Sequence, residues 1–401
     1  MKKTSGLFVG VVLSGWMIAP LCAVGQTLWY RGSDGSSHAY APPVRTGLAY
    51  VETYPVGRLV GPTFNVEYLD VTNNTNVGFD DPVSGATRRA TLAAVFAYIA
   101  TVIDETGSAD IEVNPSQLDG SGALASAGTL FFITNNCTSG LVFQHITTGV
   151  DPTGSAVDGT MTVDFGYNWN EDQGPVAGGE FDLFSVLLHE VTHALGFLSL
   201  TDANGVGLGG TTTRAGGFDD FIANGNGLAL INCASGAFLG TTNDLIGLNN
   251  GVKHTGPNTA AAWAALGNAG SASLYAPNPY QSGSSTSHWN TNDPAVPSSA
   301  VMRHSISAGV EHRVYTTLDL GALADIGYAL TTVTPGPGDF DGDGDVDLVD
   351  YAAMADCLEG PGASPMPTPP TTVQQCLDTF DFDADGDVDL SDFEAFTRVF
   401  G

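Results

Sequence analysis

Positive charge is what this 401-residue chain has least of: 12 lysines and arginines stand against 43 aspartates and glutamates, a formal net charge of −31. A chain so poor in cations cannot neutralise a phosphate backbone, which excludes nucleic acid as a partner class. Its field attracts cations instead. Long apolar runs are equally scarce. Past Leu7 to Leu21 no stretch reaches the roughly 18 residues that a membrane helix needs, so no span is expected once that run is removed. Cysteine is sparse at five, Cys22, Cys137, Cys233, Cys357 and Cys376.

The first 25 residues read as a signal peptide. Lys2 and Lys3 precede the apolar run, and small residues allow cleavage after Ala23 or Gly25. The chain is therefore expected to be exported, secreted or at the cell surface. Removal of Cys22 leaves an even number of cysteines, which permits disulfides.

From Gln26 to about Gly61 the chain is polar and shows no clear element. Phe64 to Val71 looks like a strand, and Ile111 to Val113, Leu130 to Ile133 and Met161 to Phe165 are short strand candidates. Arg88 to Ile103 places Leu92, Val95, Phe96, Ile99, Val102 and Ile103 at helical spacing. Residues 201–287 are rich in Gly, Ala, Asn, Ser and Thr and read as a long irregular insertion with some helix near Ala260 to Leu266. Thr317 to Ile326 is a further helix with Thr317 as its expected N-cap. The Thr331 to Gly338 stretch, TTVTPGPG, places a linker at 334–338 between a large domain, 26–333, and a small one, 339–401.

The segment Phe181 to Leu200, FDLFSVLLHEVTHALGFLSL, carries the most specific chemistry. On a helix His189 and His193 are four residues apart and share a face. Two imidazoles so placed can bind one zinc ion, with Glu190 in reach of a water on it. Leu187, Leu188, Val191, Ala194 and Leu195 give the helix an apolar surface, and Gly196 is its expected stop. A catalytic zinc needs a third protein ligand. His254, His288, His304 and His312 are the candidates that follow.

His189-Glu190-x-x-His193-x-x-Gly196 resembles the metzincin metalloproteases. In most of them a histidine stands where this chain has Ser199. The later segment Gly283 to Trp289, with His288, and then Ala300-Val301-Met302, resembles the leishmanolysin branch, in which a long insertion separates the helix from the third ligand. That resemblance implies His288 as the ligand, 95 residues after His193, and Met302 as a methionine turn beneath the metal. It also implies an α+β fold: a metzincin-like catalytic domain with a mixed twisted sheet, a zinc helix and a C-terminal helix. The implied activity is that of a zinc endopeptidase with Glu190 as general base and protein or peptide as substrate. Thr160 to Phe165 is the expected edge strand for substrate pairing. No cysteine lies where it could cap the zinc from a pro-segment.

The tail, from Pro335 onward, holds 16 acids and one base, Arg398. Asp339-Phe-Asp341-Gly-Asp343-Gly-Asp345 through Asp350 recurs 42 residues later as Asp381-Phe-Asp383-Ala-Asp385-Gly-Asp387 through Asp392. Acids at loop positions one, three, five and twelve, with glycine at six, make a calcium loop, so two calcium ions are expected. Loop-then-helix pairs of this kind resemble dockerin domains, which implies a small α-helical module and a protein docking partner. Cys357 and Cys376, each beside a loop, are expected to pair, leaving Cys137 for Cys233. The competing reading is a non-catalytic, calcium-dependent surface or scaffold protein that retains a metzincin fold.

Overall fold

A computed structural model describes residues 27–32, 35–55, 61–120, 122–154, 156–331, 337–340, 346, 348–368 and 371–400. The expected signal peptide, most of the linker and Asp341, Asp343 and Asp345 lie outside the described residues. The chain divides into two compact units, with the boundary after Tyr328.

The first unit is built on a mixed five-stranded sheet. Its strands are β1 (Val51–Tyr54), β2 (Thr63–Tyr68), β3 (Ser108–Val113), β4 (Ala125–Thr129) and β5 (Gly159–Val163), in the order β1-β2-β3-β5-β4. β2, β3 and β5 run parallel, and the two outer strands, β1 and β4, are antiparallel to their neighbours. Parallel β2 and β3 need a long crossover, and helix α1 (Gly85–Val102) supplies it. Its buried Leu92, Val95, Phe96 and Ile99 match the spacing read from the sequence, and the Phe96 ring stacks on Phe64 of β2 at 4.4 Å. α1 begins three residues before Arg88, because the Asp81 carboxylate takes the amides of Val83 and Ser84 and turns the chain into the helix.

Other boundaries differ for similar local reasons. The strand expected over Phe64 to Val71 stops at Tyr68, and Leu69–Asn73 is helical. Buried Asp70 there accepts from Phe79 N, Ser116 N and Ser116 Oγ. The strand expected at Leu130 to Ile133 is present but reduced to Phe131–Phe132. β4 ends at Thr129, and Phe131–Phe132 pairs with Leu28–Arg31, in a region where no element was expected.

Residues 201–287 prove more regular than their composition suggested. β6 (Ile222–Asn224), β7 (Val252–His254) and β8 (Ala272–Leu274) form an antiparallel sheet. Helix α4, Pro257–Ala265, follows β7. The Cys137–Cys233 disulfide ties this region to the rest of the unit. Helix α5 (Thr317–Ile326) packs on α4, and its Asp325 accepts from the Asn258 and Thr259 amides at the start of α4. The N-cap of α5 is Thr316, not Thr317, in a capping box with Asp319.

In the second unit α6 (Leu348–Cys357), α7 (Val373–Phe380) and α8 (Leu390–Phe396) enclose a small core of Met354, Phe380, Val388, Phe396 and the Cys357–Cys376 disulfide.

Candidate metal centre

The helix carrying the paired histidines spans Leu183–Ala194, between α2 (Leu141–Thr148) and α4 in chain order, and is referred to here as the His helix. Its N-cap, Asp182, is fully buried, accepts from Ser185 N at 3.0 Å and is paired with Arg313 at 2.7 Å. Leu187, Leu188 and Val191 are buried, which locks the helix rotation and sends positions 189 and 193 to one side. Gly196, at φ +112°, breaks it in a backbone conformation that L side chains avoid.

Three imidazoles meet beside this helix. The Nε2 atoms of His189, His193 and His288 lie 3.1 to 3.2 Å from one another. Each Nδ1 faces a carbonyl oxygen: Val301 for His189 at 2.8 Å, Phe197 for His193 at 2.7 Å, and Ser284 for His288 at 2.8 Å. A carbonyl only accepts, so each Nδ1 carries the proton and each Nε2 presents a lone pair. Three lone pairs at this separation repel unless a cation stands between them. Tetrahedral zinc with bonds of 2.0–2.1 Å would place its donors about 3.3 Å apart, close to the observed triangle. The residues fit that ion, and carbonyl bonds that orient the rings are the usual support of such ligands.

Electrostatics favour the neutral rings. Burial, then the neighbouring His189, pushes His193 down to about 3. Burial also lowers His189, and it holds His288 well below its ordinary value. Glu190, on the same helix, is raised by burial to about 8, while the Ala127 backbone amide acts in the opposite sense. A bound cation would pull this value down again.

Of the other histidines, none joins the triangle. His254 is fully buried between Phe218, Phe221 and Trp289. His304 stacks on Tyr275 at 3.7 Å and bonds Thr291, and His312 lines the cavity without reaching the three rings' common point. Ser199, at the position where a third histidine is usual in the metzincins, donates its hydroxyl to buried Asp219 at 2.6 Å and its amide to Ser287 Oγ at 3.0 Å. It thereby braces the loop that carries His288.

Met302 is fully buried, one residue after the carbonyl that holds His189. Its turn is organised by Asp319 of α5, which sequence reasoning missed. The Asp319 carboxylate accepts from Val301 N, Met302 N, Trp289 Nε1 and Thr316. The single available signal was its place three residues after Thr316, which spells a cap and says nothing of the distant loops.

A cavity of about 420 Å³ opens over the three rings and Glu190. One wall is β4, and here the structure corrects an expectation. The segment Thr160 to Phe165 is not an edge: β5 is paired on both sides, by β3 and β4. The edge strand beside the His helix is β4, Ala125–Thr129.

In the second unit the later loop is fully described. Asp381, Asp383 and Asp392 each offer a carboxylate oxygen, all within 4.8 Å of one another, as do Asp387, Asp389 and Asp392. Gly386, at φ +91°, allows the turn, and Asp381 accepts from the Asp385 and Gly386 amides at 3.0 Å. Asp385 accepts from Asp387 N at 3.2 Å. In the earlier loop, buried Asp350 accepts from Phe340 N just as Asp392 accepts from Phe382 N, and Asp339 is buried.

Residues 337–399 match the family described as the dockerin type I domain. No curated protein and no solved structure matches the chain. Among the described residues no helix is long and apolar enough to cross a membrane.

Proposed function

We propose that the first unit is a zinc-dependent endopeptidase of exported type, metzincin-like and nearest the leishmanolysin branch. We further propose that the second binds two calcium ions and docks the enzyme onto a partner protein. The observation that carries the first reading is the convergence of three carbonyl-oriented imidazoles beside a buried carboxylate in a cavity walled by an edge strand. His189, His193 and His288 would hold the ion. Zinc so held supplies Lewis acidity toward a water and a peptide carbonyl. Glu190 takes the proton of the attacking water and returns it to the leaving amine. The backbone of β4 offers its unpaired side to an extended peptide, which would add as a further strand.

The calcium and docking roles rest on the dockerin match and on the repeated aspartate loops. That match also favours the second reading, in which docking is the whole function and the histidine cluster is a relic. A cleavage assay on an unfolded protein substrate, with and without a chelator, separates them. Glu190→Gln is expected to retain zinc and lose hydrolysis by roughly 100-fold or more. Parent and variant cutting equally fast would rule out this role for Glu190, and no cleavage by the zinc-loaded parent would favour the second reading.

A further inference from the structure

The cavity over the histidines has the opposite charge balance to the chain. Among the described residues Glu190 is the one acid in its lining, whereas two arginines, Arg31 and Arg303, take part in it. Elsewhere Arg214 is held by the Gly205 and Gly236 carbonyls and by Thr201 Oγ1, while others are matched with acids: Arg45 with Glu67, Arg88 with Glu171, Arg89 with Glu52, Arg313 with Asp182. Arg303 has no such match. Its Nη1 donates to the Pro297 carbonyl at 3.1 Å, and no carboxylate of the described residues stands within 4.0 Å of it. In a chain with 43 acids this is a cation left open toward a cavity.

Its position is well defined. Arg303 follows Val301, whose carbonyl orients His189, and Met302, whose amide is held by Asp319. Its backbone bridges Trp289, the residue after His288. The guanidinium is therefore anchored to the same turn as two of the three rings. His304 and His312 line the same cavity, and burial followed by the Arg303 charge keeps both below their ordinary value. Near neutral pH the cavity's positive charge is thus borne by arginine.

We infer that Arg303 is a specificity-determining residue that selects substrates with an aspartate or glutamate side chain close to the scissile bond. The inference rests on the peptidase reading. A guanidinium with unused donors takes a carboxylate through two parallel hydrogen bonds, and an amide of the same shape cannot replace both. Arg31, fixed by the Gly35 and Leu200 carbonyls, lines the same cavity.

The test uses the full zinc-loaded chain and acetylated, amidated peptides that differ only by Asp or Asn at each of the positions flanking the cut. A parallel set with free C-termini separates a side-chain carboxylate from a terminal one. Asp is expected to exceed Asn in kcat/KM on the order of tenfold at one position. Arg303→Gln should bring that ratio near one, Arg303→Lys should retain part of it, and Arg303→Glu should turn the position toward lysine. Zinc content and circular dichroism establish that each variant is folded. The same peptides are titrated onto Glu190→Gln protein by fluorescence anisotropy, which needs no turnover. Arg303-dependent preference for Asp in binding, with no cleavage by the parent, would sink the peptidase reading and with it the scissile-bond part of this inference, leaving Arg303 as the residue that recognises an acidic side chain in a bound peptide. Equal handling of Asp and Asn, a preference that survives Arg303→Gln, or a preference confined to free C-termini would overturn it.

Discussion

The histidine triangle is decided by atoms that are not histidine. Val301, Phe197 and Ser284 each offer one carbonyl, and each carbonyl selects the tautomer that leaves Nε2 bare. Two of the three rings were legible in the chain because a spacing of four residues places them on one helical face. The third was not, since nothing local distinguishes His288 from His304 or His312; the family resemblance alone favoured it. His288→Ala is expected to reduce zinc content sharply, because two imidazoles hold the ion poorly. Metal analysis after dialysis checks this. Full occupancy in the variant would transfer the role to a different histidine.

At the scale of elements, one of the parts that frame the cavity carries no periodic signal. β4 reads Ala-Ser-Ala-Gly-Thr, residues too small and too mixed to announce a strand, yet small side chains allow it to lie against the His helix. The neighbouring β5, with Met161 and Val163 buried, shows the stronger pattern because it is interior, and its place just before the His helix in the chain does not make it the edge. Helix α5, by contrast, was read correctly over Thr317–Ile326, but its part in the site was invisible. Asp319 joins the α5 cap to the Val301–Met302 turn and to Trp289. Asp319→Ala would leave several buried donors without an acceptor, at about 1–3 kcal/mol each. The expected result is a loss of at least about 3 kcal/mol in denaturant unfolding, with zinc affinity down roughly 10- to 100-fold. A variant with parental stability and zinc affinity would show that Asp319 does not organise the site.

For the molecule as a whole, the division after Tyr328 separates two kinds of stabilisation. The first unit has an extensive apolar core. The second has a small one around a disulfide, overlaid with carboxylates whose oxygens crowd within 4.8 Å. Without cations those charges repel, and compaction is opposed. Calcium is therefore expected to raise the unfolding temperature of the second unit strongly and that of the zinc-loaded first unit little. Scanning calorimetry of the full chain, titrated with calcium at fixed zinc, gives the answer. A single transition moving as one, or none moving at millimolar calcium, would refute it.

What the amino-acid order determined by itself was the chemistry contained within one turn of helix or one loop. His189, Glu190 and His193 are such a case, and so are the two aspartate loops 42 residues apart, where the second copy repeats the pattern of the first. Local backbone geometry converts those spacings directly into positions. The tertiary structure alone decided everything that depends on approach between distant segments. It brought His288 to the pair, set β4 at the edge, made Asp319 the support of a distant turn, and left Arg303 open to the cavity. Such contacts follow from how apolar faces stack in three dimensions, and a single chain records the residues but not the stacking.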